Sequence, residues 1–236
     1  MAQYRLLRAF EDTFRGVRYF HRDSSLGDYI AMHLYEDLYA IGRSSKLRTR
    51  IDAHERVLNV QNLRVGIEAR RGDGTFGEII PNVRAIVDPG FVVARGHIAT
   101  VEIGTEVKIV AKAMIKQIDR VIGDLNKQIQ EFRRGGGRPT CVGIVGVNHA
   151  DFYTSYEGDR SFPTDGKKYK HPVQEARETE SRLRARARPN FDHFLLIPFR
   201  AMNTEPYPFE WANLTTTEME YGAILTRICR EYEERF

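Results

Sequence analysis

Residues 98–132, IATVEIGTEVKIVAKAMIKQIDRVIGDLNKQIQEF, decide how the rest of the chain is read. The first half alternates. Val101, Ile103, Thr105, Val107 and Ile109 interleave with Glu102, Gly104, Glu106, Lys108 and Val110. Side chains two apart share a face of a strand, so Glu102, Glu106 and Lys108 project together from one side. From about Lys112 the period lengthens. Met114, Ile118, Val121, Leu125, Ile129 and Phe132 recur by fours and threes, the inner stripe of an amphipathic helix. A strand carrying two carboxylates and a lysine, followed at once by a covering helix, has the residue types that metal-dependent chemistry requires.

Upstream, residues 4–15 place Leu6, Leu7, Phe10 and Phe14 on one side of a short helix, which Gly16 to Asp23 breaks. A second helix over 26–41 takes its cap from Ser24 or Ser25, has Asp28 in capping-box position, and ends at Gly42. A third is expected over 45–60, with Leu47, Ile51, His54 and Leu58 turned inward. The pattern then becomes extended. Residues 63–70, the turn Gly72-Asp73-Gly74 and residues 76–80 read as a β-hairpin. A short strand over 83–87 delivers Asp88 at its end, Pro89-Gly90 turns the chain, and 91–93 leads toward the central strand.

Downstream, Gly135-Gly136-Gly137 marks a break, and CVGIVGV at 141–147 is apolar on both faces, as a strand covered by helices must be. Residues 151–170 form a polar, aromatic excursion rich in Gly and Lys. Pro172 suits the first position of a helix running to about Ala187, 191–199 is a further strand, and a threonine-capped helix closes the chain from Thr215. The expected architecture is α/β: a central mixed β-sheet with helices on both faces and an N-terminal helical portion. One domain is expected over 1–236, with its core at about 26–148 and with 151–236 as elaboration plus a C-terminal strand and helix.

The length suffices for one sizeable core, and no apolar run approaches the roughly 20 residues that span a bilayer. The N-terminus carries Glu11-Asp12 and no small-residue cleavage site, unlike a signal peptide. Cys141 and Cys229 lack CxxC spacing and read as buried thiols of a cytoplasmic protein. Net charge is only +4, but the basic residues cluster: Lys46, Arg48 and Arg50; Arg133, Arg134 and Arg138; Lys167, Lys168 and Lys170; and Arg182, Arg184, Arg186 and Arg188. Such clusters suit phosphate neutralisation, or are ordinary charge segregation on a solvated surface.

The order helix, hairpin, strand ending in Asp88, strand with Glu106-Val107-Lys108, helix, apolar strand resembles the PD-(D/E)xK nuclease superfamily, the restriction-endonuclease-like fold. The resemblance covers about residues 26–148. It implies that Asp88 is the first metal-binding aspartate, Glu106 the second acid and Lys108 the lysine, converging at one edge of the sheet. The proline follows Asp88 here, as Asp88-Pro89, where the family name puts it before. Glu36 stands where many members add a further acid for the metal. Also implied are Mg2+ or Mn2+ as cofactor, DNA as partner, and a homodimer, because two strands need two active sites. Lys112, Lys116 and Arg120, recurring by fours on the central helix, are candidates for the phosphate backbone, with Gln117 a lesser one.

A [DE]xK tripeptide alone is weak: with 32 acids and eight lysines, about one arises by chance, and Asp165-Gly166-Lys167 is a second. Context distinguishes Glu106-Val107-Lys108. The bland alternative makes Glu102, Glu106 and Lys108 the wet face of an edge strand, in cross-strand pairs. Glu102 lies about 13 Å along the strand from Glu106, too far to share one cation, and reads as structural. His149, at a strand end, reads as a hydrogen-bonded structural residue. The functional expectation is a Mg-dependent endodeoxyribonuclease most like a type II restriction endonuclease. The alternatives are a repair or defence nuclease directed by DNA structure or modification, and a nucleic-acid-binding module of the same fold without chemistry.

Overall fold

The computed structural model describes residues 2–20, 25–64, 73–112, 114–134, 137–167 and 170–236. Three helices come first, α1 (Arg5–Asp12), α2 (Ser25–Ile41) and α3 (Ser45–Asp52), then strands β1 (Arg56–Arg64), β2 (Gly74–Glu78), β3 (Arg95–Ile98) and β4 (Ile103–Val110). Helix α4 (Met114–Arg133) leads to β5 (Thr140–Asn148), and a separate hairpin follows, β6 (Tyr153–Glu157) with β7 (Arg160–Thr164). Helix α5 (Pro172–Arg186), β8 (His193–Ala201), β9 (Phe209–Trp211) and α6 (Leu214–Arg235) complete the chain. Seven strands form one mixed sheet in the order β3-β1-β2-β4-β5-β8-β9. β1, β2 and β4 run antiparallel in succession, and β4, β5 and β8 are parallel, joined by crossovers that contain α4 and α5.

Strand alternation assigns the two faces. Ile103 and Val107 of β4, Val142 and Ile144 of β5, and Leu195 and Ile197 of β8 pack with α1, α2, α3 and α6. Val110, Cys141, Val145, Val147 and Leu196 point the other way, against α4 and α5. All nine residues of β5 are buried, as its unbroken apolar run requires. Each Leu, Ile or Phe so covered contributes about 1.5–3 kcal/mol. Close approach matters at Gly104, where a Cβ would stand 2.5 Å from the Phe132 ring of α4. Helix α4 therefore lies directly over the even-numbered face of β4.

Several local expectations change. The third helix stops at Asp52, not residue 60, because His54 takes a left-handed φ of 54°. Val57 and Leu58 then enter β1, where they are buried. Residues 83–87 and 91–93 form no ladder; a single bridge, Ile86 to Arg95, is all that Pro81 and Pro89 on either side permit. The excursion at 151–170 contains the β6–β7 hairpin. The last helix is capped by Asn213, whose side chain accepts from the Thr216 amide at 3.0 Å, and not by threonine. The Ser24 cap, residues 65–72 of the first hairpin, Gly135-Gly136 and Lys168 lie outside the described residues.

Candidate functional site

Glu106 sits at the middle of β4, opposite Gly143 of β5, and is 4 % exposed. It and Lys108 belong to the set of β4 side chains that face α4. The Lys108 ammonium is ion-paired to Glu106 Oε1. The other carboxylate oxygen, Oε2, is buried with no hydrogen-bond partner. A buried acceptor left unmade costs about 1–3 kcal/mol, more when charged, so this atom is the polar group of the site whose burial the protein itself does not offset.

The second acid is Asp73. It stands one residue before the ladder pair Gly74–Thr105, which brings it alongside Glu106. Its Oδ2 accepts from the Val107 amide at 2.7 Å. Gly27, in the first turn of α2, lets the carboxylate come close; a Cβ there would be 2.7 Å from Asp73 Cγ. A helix N-terminus favours an anion at this place. Behind it, the Tyr35 hydroxyl lies 3.0 Å from the Gly74 carbonyl and 2.9 Å from Thr105 Oγ1, pinning β2 to β4 where the acids meet.

The electrostatics follow from this crowding. Burial, then the Asp73 charge, pushes Glu106 up to about 7, while Lys108 works in the opposite direction. Burial alone would lower the Lys108 pKa, but Glu106 and Asp73, with Asp124 of α4 behind them, raise it above its ordinary value. The ammonium pairs with Glu106 and lies within the field of Asp73, and these acids hold its proton in place. Beside it opens a cleft of about 340 Å³ at the C-terminal end of β4. Phe14, Tyr19 and Phe20 line it from the sheet face of α1 and α2; Gln117, Arg120 and Asp124 line it from the α4 face.

Asp88 does not join this group. Both its oxygens hold the Arg95 guanidinium, at 2.5 and 2.7 Å, and Arg95 belongs to β3 at the sheet edge. Three strand spacings separate β3 from β4, roughly 14 Å. The guanidinium holds the Asp88 carboxyl below its usual range, as expected of a structural ion pair. Glu36 is also placed elsewhere. Its oxygens accept from the Val92 and Val93 amides, at 3.0 and 2.8 Å, and from Arg5 at 2.7 Å, so it organises the 81–94 loop.

Of the three basic candidates, Arg120 lines the cleft, Lys116 is exposed on α4, and Lys112 precedes the helix and pairs with Glu157 of β6 at 3.5 Å. Because α4 starts at Met114, the four-residue spacing does not put Lys112 on a helical face with the other two. Gln117 also lines the cleft. Glu102 is structural: it accepts from Arg56 Nε at 2.7 Å and from the Tyr232 hydroxyl at 2.5 Å. His149 bonds Glu180 at 2.9 Å, and Asp165 and Lys167 pair across an exposed turn. Sequence reasoning missed Asp73 because Gly72-Asp73-Gly74 reads as a turn. No local signal marks it, because its place beside Glu106 comes from the pairing of β2 with β4.

A hard divalent cation fits what is present. It takes oxygen ligands, keeps several waters and asks for one or two carboxylates plus substrate phosphate. Asp73 and Glu106 supply the carboxylates and Glu106 Oε2 an open position. Among the described residues no three His, Cys, Asp or Glu side chains form a metal-holding group, so any such ion would lean on substrate and water. No known protein family matches the chain, and no curated protein or solved structure is significantly similar to it.

Proposed function

We propose that the chain is a metal-dependent endodeoxyribonuclease of the PD-(D/E)xK kind, hydrolysing DNA phosphodiester bonds at Asp73, Glu106 and Lys108. The observation that carries this reading is the partnerless buried Oε2 of Glu106, next to Asp73 and Lys108, which line the cleft that Glu106 itself stands behind. The antiparallel β1-β2-β4 order, followed by α4 and a parallel β5, supports it. Asp73 takes the place that the sequence alone gave to Asp88.

Asp73 and Glu106 would hold Mg2+ or Mn2+, which when bound polarises the scissile phosphate and acidifies a water. Asp73 is fixed by the Val107 amide and by the wall of α2, so its carboxylate is oriented before substrate arrives. Lys108, half-buried and kept protonated by its acidic neighbours, donates to the attacking water or to a phosphate oxygen and offsets the charge that builds there. The water oxygen forms a bond to phosphorus, losing a proton to solvent, as the bond to the departing sugar oxygen breaks and that oxygen takes a proton from solvent. Arg120, at the cleft wall, is placed to hold a flanking phosphate. Cutting both strands together would require a homodimer, since one chain offers one such triad among its described residues.

The test is cleavage of plasmid and oligonucleotide DNA in Mg2+ against EDTA. Cleavage is expected only with the metal, and Glu106→Ala should abolish it while leaving DNA retardation intact. Persistence of cutting in that variant would remove the assignment, and retardation without cutting by the parent protein would leave a binding module.

A further inference from the structure

The two walls of the cleft differ chemically, and the difference bears on which form of DNA it takes. On the α4 side stand Gln117, Arg120 and Asp124, a polar wall on which Arg120 and Gln117 can donate to a sugar-phosphate backbone. On the other side the lining is aromatic and aliphatic: Phe14, Tyr19, Phe20 and Leu26. Phe14 and Tyr19 are buried, but the Phe20 ring is 47 % exposed. Beside it the Arg18 guanidinium lies 5.3 Å from the Phe20 ring centroid and 3.6 Å from that of Tyr156 on β6. The result is a layered row, Phe20, Arg18, Tyr156, running from the cleft rim to the β6–β7 hairpin.

The row rests on a fixed backbone. The Asn203 side chain accepts from the Tyr19 amide at 3.1 Å and donates to the Tyr19 carbonyl at 3.0 Å and the Thr154 carbonyl at 2.9 Å. The Gly16 amide donates to the Tyr207 carbonyl at 2.9 Å. Presenting an exposed aromatic on so well-tied a segment has no use in the core, and it pre-organises a flat surface for a ligand.

A paired duplex offers a protein phosphates and groove edges, with its base faces hidden in the stack. An unpaired nucleotide can lay a π-face on an aromatic wall while its phosphate meets Arg120 and Gln117 opposite, which a base held in a duplex cannot do. A 340 Å³ cleft is at the small end of ligand pockets, sized for a nucleotide. We infer that the cleft takes a DNA strand that is unpaired next to the scissile phosphate, with a base stacked on Phe20 and the Arg18–Tyr156 pair extending the platform. The inference rests on the nuclease reading for its choice of ligand, but its test does not depend on cleavage.

Binding is measured by fluorescence anisotropy in EDTA, with an end-labelled 20-mer as single strand, as blunt duplex and as duplex with a single-stranded flap. Single strand and flap are expected to bind at least tenfold tighter than the blunt duplex. Phe20→Ala should weaken single-strand binding about tenfold, the size of one lost base stack, and Phe20→Trp should restore it. A 2-aminopurine in the bound strand should be quenched by the parent protein and by Phe20→Trp, but not by Phe20→Ala. Equal affinity for duplex and single strand, indifference to Phe20→Ala, or no DNA binding overturns the inference. Because Glu106→Ala is read by Mg2+ cleavage and Phe20→Ala by binding in chelator, the two proposals can fail separately.

Discussion

Glu106 is where the chemistry of this chain is most exposed to measurement. Its carboxyl is pushed from 4.5 to about 7, chiefly by burial. An acid whose pKa is higher in the folded state takes up a proton on folding, so stability is greatest below 4.5 and declines as pH rises toward 7. The slope cannot exceed about 1.4 kcal/mol per pH unit for one proton. Melts of chelator-treated protein from pH 5 to 8 should show this decline, and Glu106→Gln should flatten it. A metal needs the carboxylate, so Mg2+ affinity and cleavage should rise over the same window. At the same scale, Asp73 and Asp88 are distinguishable. Asp73→Asn should remove Mg2+-dependent cleavage, by 100-fold or more in order of magnitude, as loss of a charge-stabilising group does. Asp88→Asn should leave the rate alone and cost about 1 kcal/mol or less, since its partly exposed pair with Arg95 is screened by solvent. Single-turnover rates beside urea titrations separate the two outcomes.

At the scale of elements, the strand that carries the candidate site is held from its far end. Glu102, just before β4, joins Arg56 of β1 to Tyr232 of α6 through one partly buried and one buried contact. Glu102→Ala would strand a largely buried guanidinium and a buried hydroxyl, and should destabilise the protein by about 3 kcal/mol with kcat unchanged. Denaturation curves against kinetics would check this, and a fall in kcat without loss of stability would contradict it. Much of this element level was legible. The alternation that makes β4, the four-three spacing of α4 and the two-faced apolar run of β5 are local patterns, and each appears close to its expected bounds. The expected helix over 45–60 ends at Asp52, and the strand over 83–87 reduces to one bridge. Their patterns were too short to outweigh a left-handed His54 and a pair of prolines.

At the scale of the molecule, seven strands set one cleft between two layers of helices, and one chain offers one Asp73–Glu106–Lys108 group among its described residues. Supercoiled plasmid should therefore accumulate nicked circles before linear product in a gel time course at low protein concentration. Linear product appearing without a nicked intermediate would show two copies acting together. No helix among the described residues is long and apolar enough to cross a membrane. On the nuclease reading Lys108 and Arg120 meet phosphates at the cleft, so the affinity for DNA that this reading expects should fall as salt rises.

From the amino-acid order alone come the α/β class, the central strand with its covering helix, and the shared strand face of Glu106 and Lys108, because periods of two and 3.6 are written in neighbouring residues. Which aspartate stands beside them follows from how the strands pair. Asp73 and Asp88 are both acids next to turn residues, and nothing local ranks one above the other. The choice belongs to cross-strand register: Gly74 pairs with Thr105, Tyr35 locks that pair, and Arg95 draws Asp88 to the opposite edge. Register is set by packing on both faces of the sheet at once, which residues far apart in the chain settle together.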